Sequence, residues 1–354
     1  MTRLFTELAI VAAAHLWIAW LTTWIAHSAV LVLAVWAICR STRLAADDES
    51  ALWRLALTAP MVTATASSLF GLDTPASFPL PALVPADVSL WRASAVMLAV
   101  LPAWSLLLWW RRHRARRILD TAFAERTAAP ADIERDVHEM AARFGIRSMR
   151  VTISSRAASP AVIGPHELCL PTRFATWSPS ARTALLAHEL SHVARRDPQW
   201  LRVSWFVERA CPAPWLLRFA ARSLHAASER AADDRAVGMI GDARTLAEAL
   251  TTVAADVVDT PGAVAASGSP LVARIERLLN DRPAASRLRA PSFCALAVAL
   301  VVITACAAPS VRLTPDDAAN RVTWLRPSSE PPNHRMLVVR YATRRVGRFL
   351  HFTR

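Results

Sequence analysis

The stretch SPSARTALLAHELSHVARRDP, residues 178–198, decides which kind of domain this chain forms. It predicts a helix, because Ser178 is a good N-cap and Pro179 suits the first helical position. The helix is expected to end near Asp197-Pro198, since proline does not continue a helix. Inside it, the run from His188 to His192 reads His-Glu-Leu-Ser-His and matches the pattern H-E-x-x-H.

This spacing predicts a metal site with hydrolytic chemistry. In a helix, His188 and His192 project from one face and can bind the same ion. Glu189 is offset by one position, which suits a general base acting on a metal-activated water. The longer pattern H-E-x-x-H-x-x-G-x-x-H is excluded, because Arg195 and Pro198 occupy its glycine and last histidine positions.

A catalytic zinc ion needs a third protein ligand, and Glu229 is the best candidate. It begins the pattern E-x-x-x-D, in which Asp233 lies one helical turn later. From there Asp233 can hydrogen-bond to a metal ligand and orient it without binding the metal itself. An alternative interpretation is a solvated helix face on which both acids pair with neighbouring arginines. Three other side chains compete for the ligand position: Glu208, Glu248 and His225.

Composition limits the other functions. The chain has 354 residues, of which 54% are hydrophobic, with a net charge of +13, and all 41 basic residues are arginine. The absence of lysine excludes Schiff-base chemistry, P-loop phosphate binding and Ser-x-x-Lys nucleophiles. The five cysteines form no C-x-x-C pair, so neither a zinc ribbon nor a disulfide framework is indicated.

Four uncharged stretches are long enough to predict transmembrane helices, which need about 20 apolar residues. Arginines follow the first and third stretches and precede the fourth, so the positive-inside rule places the segment between the third and fourth in the cytoplasm, with both termini outside. The stretches are Leu8–Cys39 (core Trp17–Cys39), Leu55–Leu72, Ala93–Trp110 and Ala290–Val311. The predicted organisation is a three-helix membrane region 1–117, a cytoplasmic peptidase domain 118–289, a fourth helix 290–311 and an extracytoplasmic tail 312–354.

The chain resembles the integral-membrane zinc metallopeptidases of the BlaR/MecR type, which are antirepressor sensor-transducers of bacterial drug-resistance regulation. The resemblance implies a mainly α, small-β gluzincin-type domain inserted between membrane helices three and four of a protein in the bacterial cytoplasmic membrane. It also implies His188, His192 and Glu229 as zinc ligands and Glu189 as general base. Besides the H-E-x-x-H motif, the matching segments are Trp53-Arg54-Leu55, a strand Val151–Ser155, a hairpin Ala161–Leu170, Glu229–Asp233 and Ala273–Leu279.

The family also suggests partners. The substrate is expected to be a transcriptional repressor or the protease itself, bound as an extended strand along the 161–170 hairpin. His225 and His166 are the candidates for an additional oxyanion donor. The penicillin-binding sensor that the best-known members carry after span four is not expected here, because the chain has no lysine and so cannot be acylated at a Ser-x-x-Lys site.

Two other functions remain open: a membrane quality-control or prenyl-protein zinc endopeptidase, and a non-proteolytic receptor with a structural zinc site. Direct nucleic-acid binding is not expected, because the arginines cluster at span ends, where anionic lipid explains them. Membrane lipid is therefore an expected partner. The oligomeric state is open, with a dimer as one option.

Overall fold

The computed structural model is mostly helical, with two small sheets. It describes residues 2–70, 78–81, 103–104, 106–111, 113–114, 117, 125–157, 159–163, 166–211, 213–258, 271–280 and 288–314. The sequence of the tail predicts a strand over Met336–Tyr341, which lies outside these residues.

Two long helices form the N-terminal hairpin. Helix α1 covers Thr2–Ser41, and α2 covers Ala46–Phe70 and begins with a turn of three acidic residues. They are joined by side-chain hydrogen bonds between Trp20 Nε1 and Thr65 Oγ1 at 3.0 Å and between His27 Nδ1 and Thr63 Oγ1 at 2.9 Å. Such bonds satisfy polar groups that lipid would leave unpaired.

Within the described part of the chain, two of the four predicted spans are helices that are long and apolar enough to cross a membrane. They are Trp17–Ser41 in α1 and Ala290–Ala307, which is α9. The second predicted span lies mostly in α2, which does not meet the same criterion, and the third lies largely outside the described residues. The fourth ends four residues earlier than expected, since Val311–Thr314 is strand β6 and pairs in parallel with β1, Phe78–Pro81.

The segment between the spans carries a four-stranded sheet of order β2-β3-β5-β4 and six helices in the described residues. Its strands are β2 (Thr127–Ala128), β3 (Arg150–Ser154), β4 (Ala161–Val162) and β5 (Glu167–Pro171). Its α-helices are α3 (Ala131–Arg143), α4 (Pro179–Ala194), α5 (Asp197–Ala210), α6 (Pro214–Ile240), α7 (Ala243–Val258) and α8 (Leu271–Leu279). Strands β4 and β5 form the expected hairpin, and β3 begins one residue before the predicted strand.

Helix α6 connects two hydrophobic cores. Its C-terminal half, through Ala236, joins a core that packs α4 against the sheet and α7. Its N-terminal half, with Leu217 and Leu224, joins a second core with α1 and α2, including Leu31 and Leu57. The segment that carries the four-stranded sheet therefore shares buried apolar surface with the N-terminal hairpin, and burial of such surface is the main favourable term in packing.

Candidate metal centre

Helix α4 is built as its sequence indicates. The Ser178 hydroxyl accepts a hydrogen bond from the backbone N–H of Ala181 at 3.2 Å, which caps the helix. The helix ends at Ala194, a little before the expected stop, because Arg196 adopts the left-handed conformation with φ 58°. Such a conformation is uncommon for a residue other than glycine. Because the chain changes direction at Arg196, helix α5 begins at Asp197, beside the last turn of α4.

Helices α4 and α6 bring His188, His192 and Glu229 together. The Nε2 atoms of the two histidines are 3.2 Å apart. Glu229 Oε2 lies 3.7 Å from Nε2 of His188, and Glu229 Oε1 lies 3.6 Å from Nε2 of His192. Ligand atoms at about 2.0–2.1 Å from a tetrahedral ion are themselves about 3.4 Å apart, so these three groups fit a small divalent metal. The third ligand candidate is thus Glu229, as the sequence predicts.

Each histidine has a buried carboxylate beside its other ring nitrogen. Asp233 Oδ1 lies 3.0 Å from Nδ1 of His188, which is the orienting position predicted for Asp233. Asp197 Oδ2 lies 2.9 Å from Nδ1 of His192. Such partners fix the tautomer and ring orientation of a metal-binding histidine. The sequence analysis missed Asp197, although its place directly after the motif helix was a usable clue.

Asp197 is further connected to the N-terminal hairpin. Arg54 of α2 donates from Nη2 to Asp197 Oδ1 at 2.7 Å, and Arg195 donates from Nε to Oδ2 at 3.1 Å. Arg195 also bonds Ser50 and pairs with Asp47, both in α2. A buried carboxylate with these partners is held ionised and in one orientation.

The charges of the cluster shift its pKa values. Burial raises the pKa of Glu189, although the neighbouring histidines partly oppose the shift. Burial would lower the pKa of His192, but the Asp197 hydrogen bond and the carboxylates of Glu229 and Glu189 prevail and raise it to about 9. Burial also opposes ionisation of Asp233, yet the contacts with His188 and Arg274 hold its pKa well below the usual range.

Arg274 of α8 completes the centre and was not assigned a role from the sequence. Its guanidinium lies 2.8 Å from Glu229 Oε2 and 2.7 Å from Asp233 Oδ1, and Nη2 is 3.3 Å from Nε2 of His188. The only clue was its place in the Ala273–Leu279 segment, which matched the family without indicating chemistry. Arg274 neutralises two buried carboxylates that would otherwise repel each other.

A cleft of about 430 Å³ opens onto the cluster. Strand β4 and helix α7 form parts of its wall, and both Glu189 and His225 line it. The remaining candidates are elsewhere among the described residues. Glu208 pairs with Arg218 at 3.1 Å, Glu248 pairs with Arg244 on an exposed surface, and His166 is exposed in the β4–β5 turn.

Comparison with known proteins agrees with this geometry. Residues 11–278, well over half of the chain, match the family model described as BlaR1 peptidase M56. A search of curated proteins gives no match. The matched range includes most of α1, all of α2, the whole His188–His192–Glu229 cluster and Arg274. The chain therefore belongs to the BlaR1 peptidase M56 family, and it is a membrane-associated metallopeptidase.

Proposed function

We propose that this chain is a zinc endopeptidase of the gluzincin type, with His188, His192 and Glu229 as metal ligands. One observation carries the proposal: three ligand atoms converge within 4.8 Å of one another on segments that the family match includes. Two histidines and one carboxylate are the protein ligands of several catalytic zinc sites, which leave a further position for water or substrate. A bound zinc ion would supply Lewis acidity, polarising the scissile carbonyl and lowering the pKa of a water.

Glu189 is proposed as the general base. It lines the cleft beside both histidines, and its raised pKa brings it closer to the range in which a carboxylate exchanges protons effectively. It would take a proton from the attacking water and return it to the leaving amine. His225, which lines the same cleft, is the better placed of the two proposed oxyanion donors.

The substrate is proposed to bind as an extended strand along β4. In the described part of the sheet, β4 is an edge strand, and Ala161 and Val162 line the cleft. An exposed edge offers backbone N–H and C=O groups to a peptide, while the cleft receives alternate side chains. Backbone recognition of this kind suits an endopeptidase.

The proposed location is the bacterial cytoplasmic membrane, with four spans, the peptidase domain inside and both termini outside. The pairing of β1 with β6 supports this arrangement, because β1 follows α2 and β6 follows α9. The two segments can pair only on the same side of the membrane, as the four-span plan requires. The proposed substrate is a transcriptional repressor, the protease itself, or both, so that cleavage relieves repression.

The test uses the full-length protein, purified in detergent, with Glu189→Gln as the inactive variant. Glu139→Gln, on the exposed face of α3, is the matched control. We expect all three proteins to contain one zinc ion, and wild type and control to cleave a casein-like substrate or a candidate repressor while Glu189→Gln does not. If wild type retains zinc and cuts neither substrate, the site is structural and the peptidase proposal is wrong.

A further inference from the structure

The hairpin tip, residues 203–222 at the closed end of the α5–α6 hairpin, exposes large apolar side chains. Trp215 is 71% exposed, Phe206 49%, Phe219 44% and Val203 37%. Exposed apolar surface of this kind marks a contact with another apolar phase. The peptidase chemistry does not use this surface, since the metal cluster lies toward the opposite end of the hairpin.

The contacts of α6 with α2 fix the position of the hairpin tip relative to the predicted second span. Arg230 pairs with Glu49 at 2.7 Å, and Phe219 packs edge-on against Trp53 with ring centroids 5.7 Å apart. Helix α6 thus runs antiparallel to α2, and Phe219 lies level with Trp53, two residues before the start of the predicted second span. The remaining residues down to Pro214 extend about 7 Å further along that span, at 1.5 Å per residue.

A second contact gives a similar position for the hairpin tip relative to the third predicted span. Trp104, in the third predicted span, donates from Nε1 to the backbone carbonyl of Arg209 at 3.0 Å. Trp104 precedes Arg111, the first charged residue after that span, by seven positions, or about 10 Å of helix. The end of α5 therefore also lies beside residues that are expected to be within the bilayer.

We propose that the hairpin tip is immersed in the membrane leaflet on the peptidase side, where its exposed apolar side chains contact lipid. The surrounding charges favour anionic headgroups, since three arginines and one glutamate occupy residues 203–222. Arg209 lies over the ring of Trp205 at 4.3 Å, and aromatic and arginine side chains are typical of the bilayer interface. The proposal rests on the membrane spans and not on proteolysis.

Immersion would fix the distance of the active site from the membrane. Glu229 follows Phe219 by ten positions on the same helix, which corresponds to about 15 Å. The cleft would then lie near the headgroups, and it would receive peptide segments presented close to the membrane surface.

The test places a spin label at the hairpin tip of the full-length protein. In a background with the five cysteines replaced by alanine, Trp215→Cys is labelled and reconstituted in nanodiscs of phosphatidylcholine and phosphatidylglycerol. Phe206→Cys provides a second site in case loss of Trp215 disturbs the fold. Arg244→Cys, on the exposed start of α7, is the matched control. Accessibility to oxygen, which partitions into lipid, is compared with accessibility to a water-soluble nickel complex.

We expect the ratio of oxygen to nickel accessibility to exceed unity at 215 and 206 and to fall below unity at 244. Equal ratios at all three positions would overturn the proposal, because the tip would then be in water. Labels shielded from both reagents, with dipolar broadening that disappears on dilution with unlabelled protein, would also overturn it and indicate a second copy of the chain. None of these outcomes depends on peptidase activity.

Discussion

Replacing Asp197 with asparagine removes the carboxylate that links the N-terminal hairpin to His192. Asp197 is buried, accepts from Arg54 at 2.7 Å and Arg195 at 3.1 Å, and lies 2.9 Å from Nδ1 of His192. Asparagine has nearly the same shape but no charge and only one oxygen. We therefore expect zinc affinity to fall about 10- to 100-fold, the usual effect of losing such a partner, or about 1.4–2.7 kcal/mol.

Folding should respond as well, since Arg54 would lose its carboxylate while Arg195 retains Asp47 and Ser50. Breaking a buried charge pair costs about 3–5 kcal/mol, and the retained contacts place this case toward the lower end. Zinc affinity is measured by competition with a chromophoric chelator, and ligand geometry by the absorption spectrum of the cobalt-substituted protein. Asp136→Asn, on the exposed face of α3, is the control. Zinc affinity within twofold of wild type in Asp197→Asn would refute the positioning role.

Three further predictions concern the same centre. Glu189→Gln should keep zinc and lower turnover by about 100- to 10,000-fold, measured by steady-state peptide hydrolysis, whereas loss of zinc would indicate a structural role. Because the pKa of metal-free His192 is about 9, zinc binding near neutral pH should release about one proton, seen in calorimetry as a dependence on buffer ionisation enthalpy. No such dependence would contradict the protonated state. Arg274→Ala should destabilise the metal-free protein by about 3 kcal/mol or more and the zinc-loaded protein less, since the metal then neutralises Glu229. Equal shifts in Tm with and without zinc would disprove this account.

Local features of the sequence were sufficient for the motif helix and its histidines. A helical period places His188 and His192 on one face wherever the helix packs, and Ser178 and Pro179 mark its start independently of tertiary contacts. The E-x-x-x-D pattern similarly placed Glu229 and Asp233 on one helix face. The same pattern favoured Glu229 over Glu208 and Glu248, and the need of the H-E-x-x-H motif for a third ligand favoured a metal site over a solvated helix face. Of the three glutamates, the structure brings only Glu229 to the histidines.

Contacts between distant segments could not be predicted in the same way. Arg54 and Asp197 are separated by 143 positions, and their pairing depends on how α2 packs beside α5. The role of Asp197 further depends on the left-handed conformation of Arg196. The sequence does not indicate this conformation, because the residue is not a glycine. Arg274 was hidden for a related reason. Its neighbours suggest an ordinary amphipathic helix, and only the packing of α8 brings the guanidinium to the metal ligands.

The acidic first turn of α2 attaches the N-terminal hairpin to both helices of the candidate metal centre. Its Glu49 pairs with Arg230, the residue after Glu229, and its Asp47 pairs with Arg195, three residues after His192. Both ligand-bearing helices are thus attached to one turn that lies between two membrane-associated helices. A boundary at residue 117 separates these segments in sequence, but it would remove Glu49 from Arg230 and Asp47 from Arg195, and it would uncover the apolar face of α6 that packs on α1 and α2. The distance of 3.6 Å between His192 Nε2 and Glu229 Oε1 consequently depends on the packing of the N-terminal hairpin as well as on the core around α4.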